Sequence, residues 1–390
     1  MKIGIDKIGF STASYYLDIR DLAVARGIEP DKFTKGLLQL EMSVTPATQD
    51  IVTLGAAAAF EFLTDEDREK IDMIIVGTET GVDQSKAAAV FIHKLLDIQP
   101  FARAIELKEA CYGATAGLDF AKNHIMNNPE SRVLVIASDI AKYGIGSSGE
   151  STQGAGSCAM LIKKDPSILV LNNDNICQTC DVMDFWRPNY SNYAFVEGRF
   201  STEQYLDCLT TTWSEYLKRS NQKIEDFEAV CLHLPYPKLG LKGLNLLLEQ
   251  TNNEDVKEKL LENFNTSIIY SQRVGNIYTG SLFLGLLSLL EKGNLIAGDK
   301  IALYSYGSGA VCEIFGATVV DGYKDSLPIN REEADLDSRQ KITVEQYEEI
   351  FFRDTKPDAE GNLDLSDIED NNPFVLEGIS EHKRIYKKQF

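Results

Sequence analysis

One order of elements occurs twice in the first 325 residues, and few folds accommodate such a repeat. Short runs rich in Val and Ile, at Met73–Gly77, Val133–Ser138, Ala159–Ile162, Ala229–Leu234 and Ile301–Ser305, read as buried strands. Between them, Ala47–Leu63, Lys86–Leu96, Cys111–Met126, Glu203–Lys218 and Ile277–Leu290 carry helical apolar spacing. In the first half a strand over 71–78 ends at Glu79. A glycine-bearing apolar helix starts 32 residues later at Cys111, and the strand Val133–Ser138 follows. In the second half a strand over Ala229–Leu232 ends at His233. A second glycine-bearing helix starts near Asn276, 43 residues later, before the strand Ile301–Ser305. The match lies in the order of elements and the place of the polar residue, not in identity. It predicts a duplicated α/β fold with active-site groups at strand C-termini and at the N-termini of central helices.

Charge and composition narrow the function classes. The 390 residues hold 39 Lys and Arg against 59 Asp and Glu, a net charge of −20, which argues against nucleic acid or an anionic membrane as partner. An anionic small molecule needs only a few local cations. The longest apolar run, Leu282–Leu290, is too short to span a bilayer. Met1–Phe10 alternates polar and apolar residues instead of showing the order of a signal peptide. Seven scattered cysteines suit reduced thiols in the cytoplasm. Residues 331–370 carry 14 acidic and 5 basic residues. Ile342–Phe352 within them reads as an acidic surface helix, and Asp354–Asp370 as an exposed loop. The expected division is 1–165 (with Glu79 and Cys111), 166–330 (with His233, Asn276 and Ser308), and an acidic appendage, 331–390, packed on the second half.

Three residues are candidates for chemistry. Cys111 sits where a helix with Gly113, Ala114, Ala116 and Gly117 begins, so the dipole and free N–H groups would favour its thiolate; the alternative is a small core side chain. His233 ends a strand in Cys231-Leu-His-Leu-Pro-Tyr-Pro237, placed for acid–base work or for a structural bond to a carbonyl. Glu79 is delivered into a Thr/Gly-rich turn, either as a desolvated base or as a helix cap. The turns Thr152–Ser157 and Tyr304–Gly309 could offer N–H groups to an oxyanion. Lys238 and Lys242 are local cations beyond His233. Cys177 and Cys180 lack the partners of a zinc set, and Cys312 reads as strand packing. A cysteine peptidase using Cys, His and Asn remains open, but leaves Glu79 without a role. Acyl transfer through a cysteine thioester with carbon–carbon bond formation employs all three.

Five segments then resemble the bacterial 3-hydroxy-3-methylglutaryl-CoA synthases: Glu109-Ala-Cys-Tyr-Gly-Ala-Thr115, Asp184-Phe-Trp-Arg-Pro188, His233-Leu-Pro-Tyr-Pro-Lys238, Gly275-Asn-Ile-Tyr-Thr-Gly-Ser281 and Ser305-Tyr-Gly-Ser-Gly309. The resemblance runs from Ile3 to about Tyr323. It implies a thiolase-like fold with two similar halves in a five-layer αβαβα arrangement, a homodimer, and a place in the mevalonate route to isoprenoids. It implies acetyl transfer from acetyl-CoA to Cys111, removal of a methyl proton by Glu79 and attack on acetoacetyl-CoA. His233 would position that substrate and donate a proton to the alkoxide. Asn276 would hold the acetoacetyl group, and Ser308, beside Gly307, would line the oxyanion hole. Thr152 and Ser201 match substrate contacts, Lys238 and Lys242 CoA contacts, and Asp139, Tyr143, Asp184 and Tyr205 pocket residues. No metal and no cofactor beyond the CoA thioesters are implied. Ketoacyl-ACP synthases of type III share the Cys-His-Asn set without the glutamate, and thiolases use a second cysteine as base. Glu79 is therefore the discriminating residue.

Overall fold

Strands apolar on every side belong between two covered faces. The computed structural model, which describes all residues except Asn192, Ile329, Asp354 and Phe390, places them there. The first half contains β1 (Ile3–Thr12), α1 (Ile51–Phe60), β2 (Ile71–Gly77), α2 (Ala88–Leu95), β3 (Arg103–Leu107), α3 (Gly113–Asn127), β4 (Arg132–Ala141) and β5 (Gly154–Lys164). The second contains β6 (Leu169–Leu171), α4 (Gly198–Ser220), β7 (Ala229–Leu232), α5 (Pro237–Leu248), α6 (Glu254–Ser267), α7 (Gly280–Lys292), β8 (Lys300–Gly307) and β9 (Val311–Val319). The strands join in one sheet in the order β7-β8-β9-β6-β1-β5-β4-β2-β3, and Ile176–Thr179 adds a tenth strand beside β9.

The repeat is visible in the pairing. β2 runs parallel to β4, which is antiparallel to β5, itself antiparallel to β1. β7 runs parallel to β8, which is antiparallel to β9, itself antiparallel to β6. Alternate side chains then set the layers. Met73, Ile75, Val133, Val135, Cys158 and Met160 of the first half share one core with Ala229, Cys231, Ile301 and Leu303 of the second, around α3 and α7. Ile74, Val76, Leu134, Ile136 and Leu161 face the outer helices α1 and α2. Val230, Leu232, Ala302 and Tyr304 face α4, α5 and α6. With the two halves of the sheet on either side of α3 and α7, the order helices, half-sheet, helices, half-sheet, helices gives five layers. α7 is apolar on all sides because it lies in the middle layer, where each buried side chain stabilises by about 1.5–3 kcal/mol.

Two expectations need correction. β1, anticipated only as a stretch unlike a signal peptide, is a central strand. Its polar residues are paired: Lys7 with Asp67 at 2.6 Å and Asp6 with Lys163 at 3.1 Å. The acidic tail packs mainly on the first half instead of the second. Its hairpin, β10 (Phe374–Ser380) with β11 (Lys383–Lys388), sets Phe374 edge-on to Phe60 and Tyr386 edge-on to Phe91. Arg384 and the Tyr386 hydroxyl both reach Asp50, the N-cap of α1. Of the stretch expected to be an exposed loop, Asp354 lies outside the described residues, Leu365 is buried, and Asp370 accepts bonds from Ser14, Thr48 and Gln49. Counting charges across 331–370 hid this, because the anchoring aromatics lie later in the chain. Among the described residues of the tail, α8 (Arg331–Ser338) sends Leu336 into the core between the halves; α9 (Val344–Phe352) is tied to the first half, Glu348 to Arg26 at 2.6 Å.

That α8 contact is pH-sensitive. The buried carboxyl groups of Glu332 on α8 and Glu291 on α7 meet, and Glu291 also accepts from the Tyr270 hydroxyl. Burial, then the charge of Glu291, pushes Glu332 up to about 9 from 4.5. The native state thus keeps a proton that the unfolded chain releases near 4.5, and this stability is lost as pH rises towards 9. Thermal melts from pH 5 to 9.5 should show a decline steeper by roughly a few degrees in the parent than in Glu332→Gln. Equal slopes would remove the pair as the cause.

Candidate active site

The site forms where the two halves meet at the C-terminal ends of β2, β4, β7 and β8. Glu79 follows β2, and its carboxylate Oε1 accepts from the Cys111 thiol at 3.7 Å. The Glu79 N–H donates to Asp139 Oδ1 at 3.0 Å. Asp139, fully buried on β4, takes further bonds from the Thr78 hydroxyl at 2.8 Å and from the Thr80 N–H and hydroxyl at 3.1 and 2.6 Å, all on Oδ1. Burial is the main cause that raises both carboxyls, Glu79 to about 8, and the Asp139 charge pushes Glu79 further up.

Cys111 is 8% exposed in a small apolar cluster with Ala141 and Tyr278, flanked by Tyr143 and Phe185. The helix expected to start at Cys111 starts at Gly113, and Ala110 before it has φ +40°, a left-handed backbone costing about 1–3 kcal/mol. The dipole argument for a thiolate fails here. Burial, then the charges of Glu79 and Asp139, raises the thiol well above its ordinary value. Near a helix end worth about half a charge, loss of water and two close carboxyls prevail. The first helical turn also points its Ala114 N–H at the Thr279 hydroxyl, not at the sulfur.

The second half supplies the facing wall. Asn276 donates to the Tyr143 hydroxyl at 2.9 Å, while its Oδ1 accepts from the Tyr278 N–H and the Ser281 hydroxyl. Its N–H bonds the Thr152 carbonyl at 2.9 Å, so residues 124 apart in sequence share one corner. Gly275 permits this with φ +89°; a Cβ there would lie 2.0 Å from the Gln153 carbonyl oxygen. A Cβ on Gly307 would lie 2.5 Å from the Glu109 carbonyl oxygen, so only glycine lets the Ser308 turn close on the Cys111 turn. Asp184, fully buried, accepts from the Tyr306 hydroxyl, the Gly309 N–H and the Ser201 hydroxyl. His233 extends the β7–β8 ladder by donating its N–H to the Tyr304 carbonyl, and its own carbonyl accepts from the Tyr205 hydroxyl. Its ring Nδ1 is buried without a partner, and burial lowers the ring to about 3. Burial thus favours the neutral imidazole over the imidazolium at His233.

Glu79, Cys111, Asp139, Tyr143, Thr152, Asn276 and the Gly307–Ser308 turn are thus contiguous. Asp184, Ser201, Tyr205 and His233 join through Tyr306 and Tyr304. Lys238 and Lys242 lie apart, one turn from each other at the N-terminal end of α5, which Pro237 starts. Cys177 and Cys180 belong to no metal-ligating group of three or more among the described residues. Cys312 is buried on β9 with its thiol 3.8 Å from the Gln178 carbonyl, not at Cys111. The peptidase reading loses its support, because Cys111 bonds Glu79 and the Asn276 amide is held by Tyr143, Tyr278 and Ser281. Phe185, Tyr278, Tyr306 and Arg187 were not singled out from sequence. All four lie inside the five motifs, but the aromatics there read equally well as core and Arg187 as a surface cation.

Comparisons with known proteins follow the same lines. A family model described as hydroxymethylglutaryl-coenzyme A synthase N terminal matches residues 1–167, and the corresponding C-terminal model matches 174–264 and 248–389. A hydroxymethylglutaryl-CoA synthase of Enterococcus faecalis is 48% identical over 389 residues, covering 99% of this chain and all of that protein. A crystal structure of an HMG-CoA synthase complexed with CoA superposes with a TM-score of 0.97 at 58% identity over the whole of both chains. A structure named MvaS in complex with 3-hydroxy-3-methylglutaryl coenzyme A gives 0.88 at 32% identity over 99% of each. Among the described residues no helix is long and apolar enough to cross a membrane.

Proposed function

This chain belongs to the hydroxymethylglutaryl-CoA synthase family of condensing acyltransferases, and on that premise we propose that it joins acetyl-CoA, acetoacetyl-CoA and water into 3-hydroxy-3-methylglutaryl-CoA and CoA through an acetyl thioester on Cys111. The observation that carries the reading is the Cys111–Glu79 contact at 3.7 Å, a nucleophile and a perturbed carboxyl facing one buried space.

The Cys111 sulfur attacks the acetyl carbonyl, and its proton leaves with the CoA thiol, so acetylation has no net proton demand. The acetyl methyl then lies beside Glu79. A thioester makes those hydrogens acidic, and a carboxylate raised to about 8 is a far stronger base than an ordinary one. Glu79 takes the proton, the carbanion attacks C3 of acetoacetyl-CoA, and the new alkoxide receives that same proton back from Glu79. Neutral His233 donates an N–H bond to the C3 oxygen, lowering the barrier as an oxyanion donor without changing charge. Asn276 has a second amide N–H beyond the one given to Tyr143, available to the acetoacetyl group. The Ser308 turn borders the thioester, and water then releases the product from Cys111. Thr152 and Ser201, at the rim, contact substrate. Lys238 and Lys242, in no ion pair among the described residues, provide positive charge for the CoA phosphates. Asp139, Tyr143, Asp184 and Tyr205 hold these groups in place. The product feeds the mevalonate route, the enzyme works in the cytoplasm, and it forms a homodimer; the edge strand β3, half-buried after its exposed first residue Arg103, offers a pairing surface.

Incubation with labelled acetyl-CoA, digestion and mass spectrometry of the cysteine peptides tests the proposal. Label should appear on Cys111 alone and leave as 3-hydroxy-3-methylglutaryl-CoA when acetoacetyl-CoA is added. Label that returns only to CoA would refute the condensation, and an unlabelled Cys111 would refute the thioester.

A further inference from the structure

The backbone of Glu79 is gripped from two sides. From within, buried Asp139 accepts its N–H at 3.0 Å. From the opposite side, the Arg187 guanidinium donates to its carbonyl oxygen. Arg187 arrives 108 residues later in the chain, on a segment that is itself fixed. Asp184 at its start is buried under three hydrogen bonds. Phe185 packs on Tyr143 and Tyr278, with ring centres 6.0 Å from each. The short hairpin of Phe185–Trp186 with Phe195–Val196 stacks Trp186 on Phe195 at 5.7 Å. Half-buried, Arg187 forms no ion pair among the described residues.

We infer that Arg187 is a positioning residue: from the segment over the site it pins the Glu79 carbonyl and turns a positive charge to the Glu79 carboxylate, holding the base against Cys111. This rests on the proposed role of Glu79 as the base. The titratable groups that face Glu79 among the described residues are Asp139 from β4, Cys111 and Glu109 from the turn before α3, Tyr143 after β4, Tyr278 before α7, and Arg187. Arg187 alone among them is cationic. Burial, Asp139 and Glu109 favour the protonated acid; Arg187 and the Cys111 thiol favour the carboxylate. Without the guanidinium, only a weak thiol bond opposes protonation, and the backbone clamp loses its outer half.

The test is the pH dependence of kcat in Arg187→Gln and Arg187→Lys, with Cys111 acetylation and thermal melting measured on the same samples. In Arg187→Gln the acid limb should move up by about one pH unit and turnover at pH 7.5 fall roughly tenfold, with acetylation and melting nearly unchanged. Arg187→Lys keeps the charge but lacks the planar fork, so its acid limb should stay at the parent position while kcat falls by about a factor of 3. An unmoved limb in Arg187→Gln, an equal shift in Arg187→Lys, or loss of acetylation and melting temperature in parallel with turnover would overturn the inference in favour of a structural role. Condensation surviving in Glu79→Ala would instead overturn the base reading beneath it, a result that does not involve Arg187.

Discussion

Glu79→Ala is expected to acetylate Cys111 within about tenfold of the parent rate and to lose condensation by roughly 10³–10⁴-fold, the range of a removed general base. Acetylation exchanges one thiol proton for another, whereas removal of the methyl proton needs a base beside the thioester. Asp139 is close and also raised, with Oδ1 occupied by four donors from residues 78 to 80 and Oδ2 buried without a partner, but the Cys111 thiol bonds Glu79 and not Asp139. Pre-steady-state labelling separates the steps: labelled Cys111 should accumulate in the variant and persist when acetoacetyl-CoA is added. Loss of labelling together with condensation would make Glu79 necessary to the nucleophile, and the assignment would change. A gain in Cys111 reactivity is also consistent with the electrostatics, since the Glu79 charge is among the causes that hold the thiol protonated.

Cys111→Ala should abolish the covalent intermediate and reduce overall turnover by about 10⁵-fold or more, as loss of a nucleophile does elsewhere. The variant should fold normally, because the side chain lies in a small cluster at the edge of the cores and not within them. Acetyl-CoA consumption and acetylated peptide are the two readouts. Residual turnover above one-hundredth of the parent would sink the thioester route. The two variants together distinguish covalent catalysis from proton transfer, which a single activity assay merges.

Local pattern revealed much of this site. Glu79 and His233 terminate corresponding strands, and Cys111 and Asn276 precede corresponding helices, because strand ends and small-residue helices are written in the order of a few neighbouring residues. The five layers follow from the same alternation: the Ile74/Ile75 and Val230/Cys231 pairs each show one side chain to an outer helix and the next to the middle layer. The expected helix start at Cys111 missed by two residues, since Ala110 takes a left-handed backbone just before it, a conformation that alanine does not announce in sequence.

Ionisation states and long-range grips lay beyond such reading. Whether Cys111 is a thiolate depends on what removes its water and which charges come close, and those are Glu79 and Asp139 from other strands. His233 is neutral because burial, contributed by Tyr205, Tyr304 and their neighbours, outweighs any gain from protonation. The acidic tail docks on the first half through Phe374 and Tyr386, whose partners Phe60 and Phe91 lie some 300 residues away in the chain. Arg187 meets Glu79 across 108 residues of chain, a contact no local pattern encodes. Periodicity is a local property of a chain, so the elements and the places of the reactive side chains could be read directly; solvation and charge are properties of the assembled neighbourhood, so the protonation of those same side chains was settled only by packing.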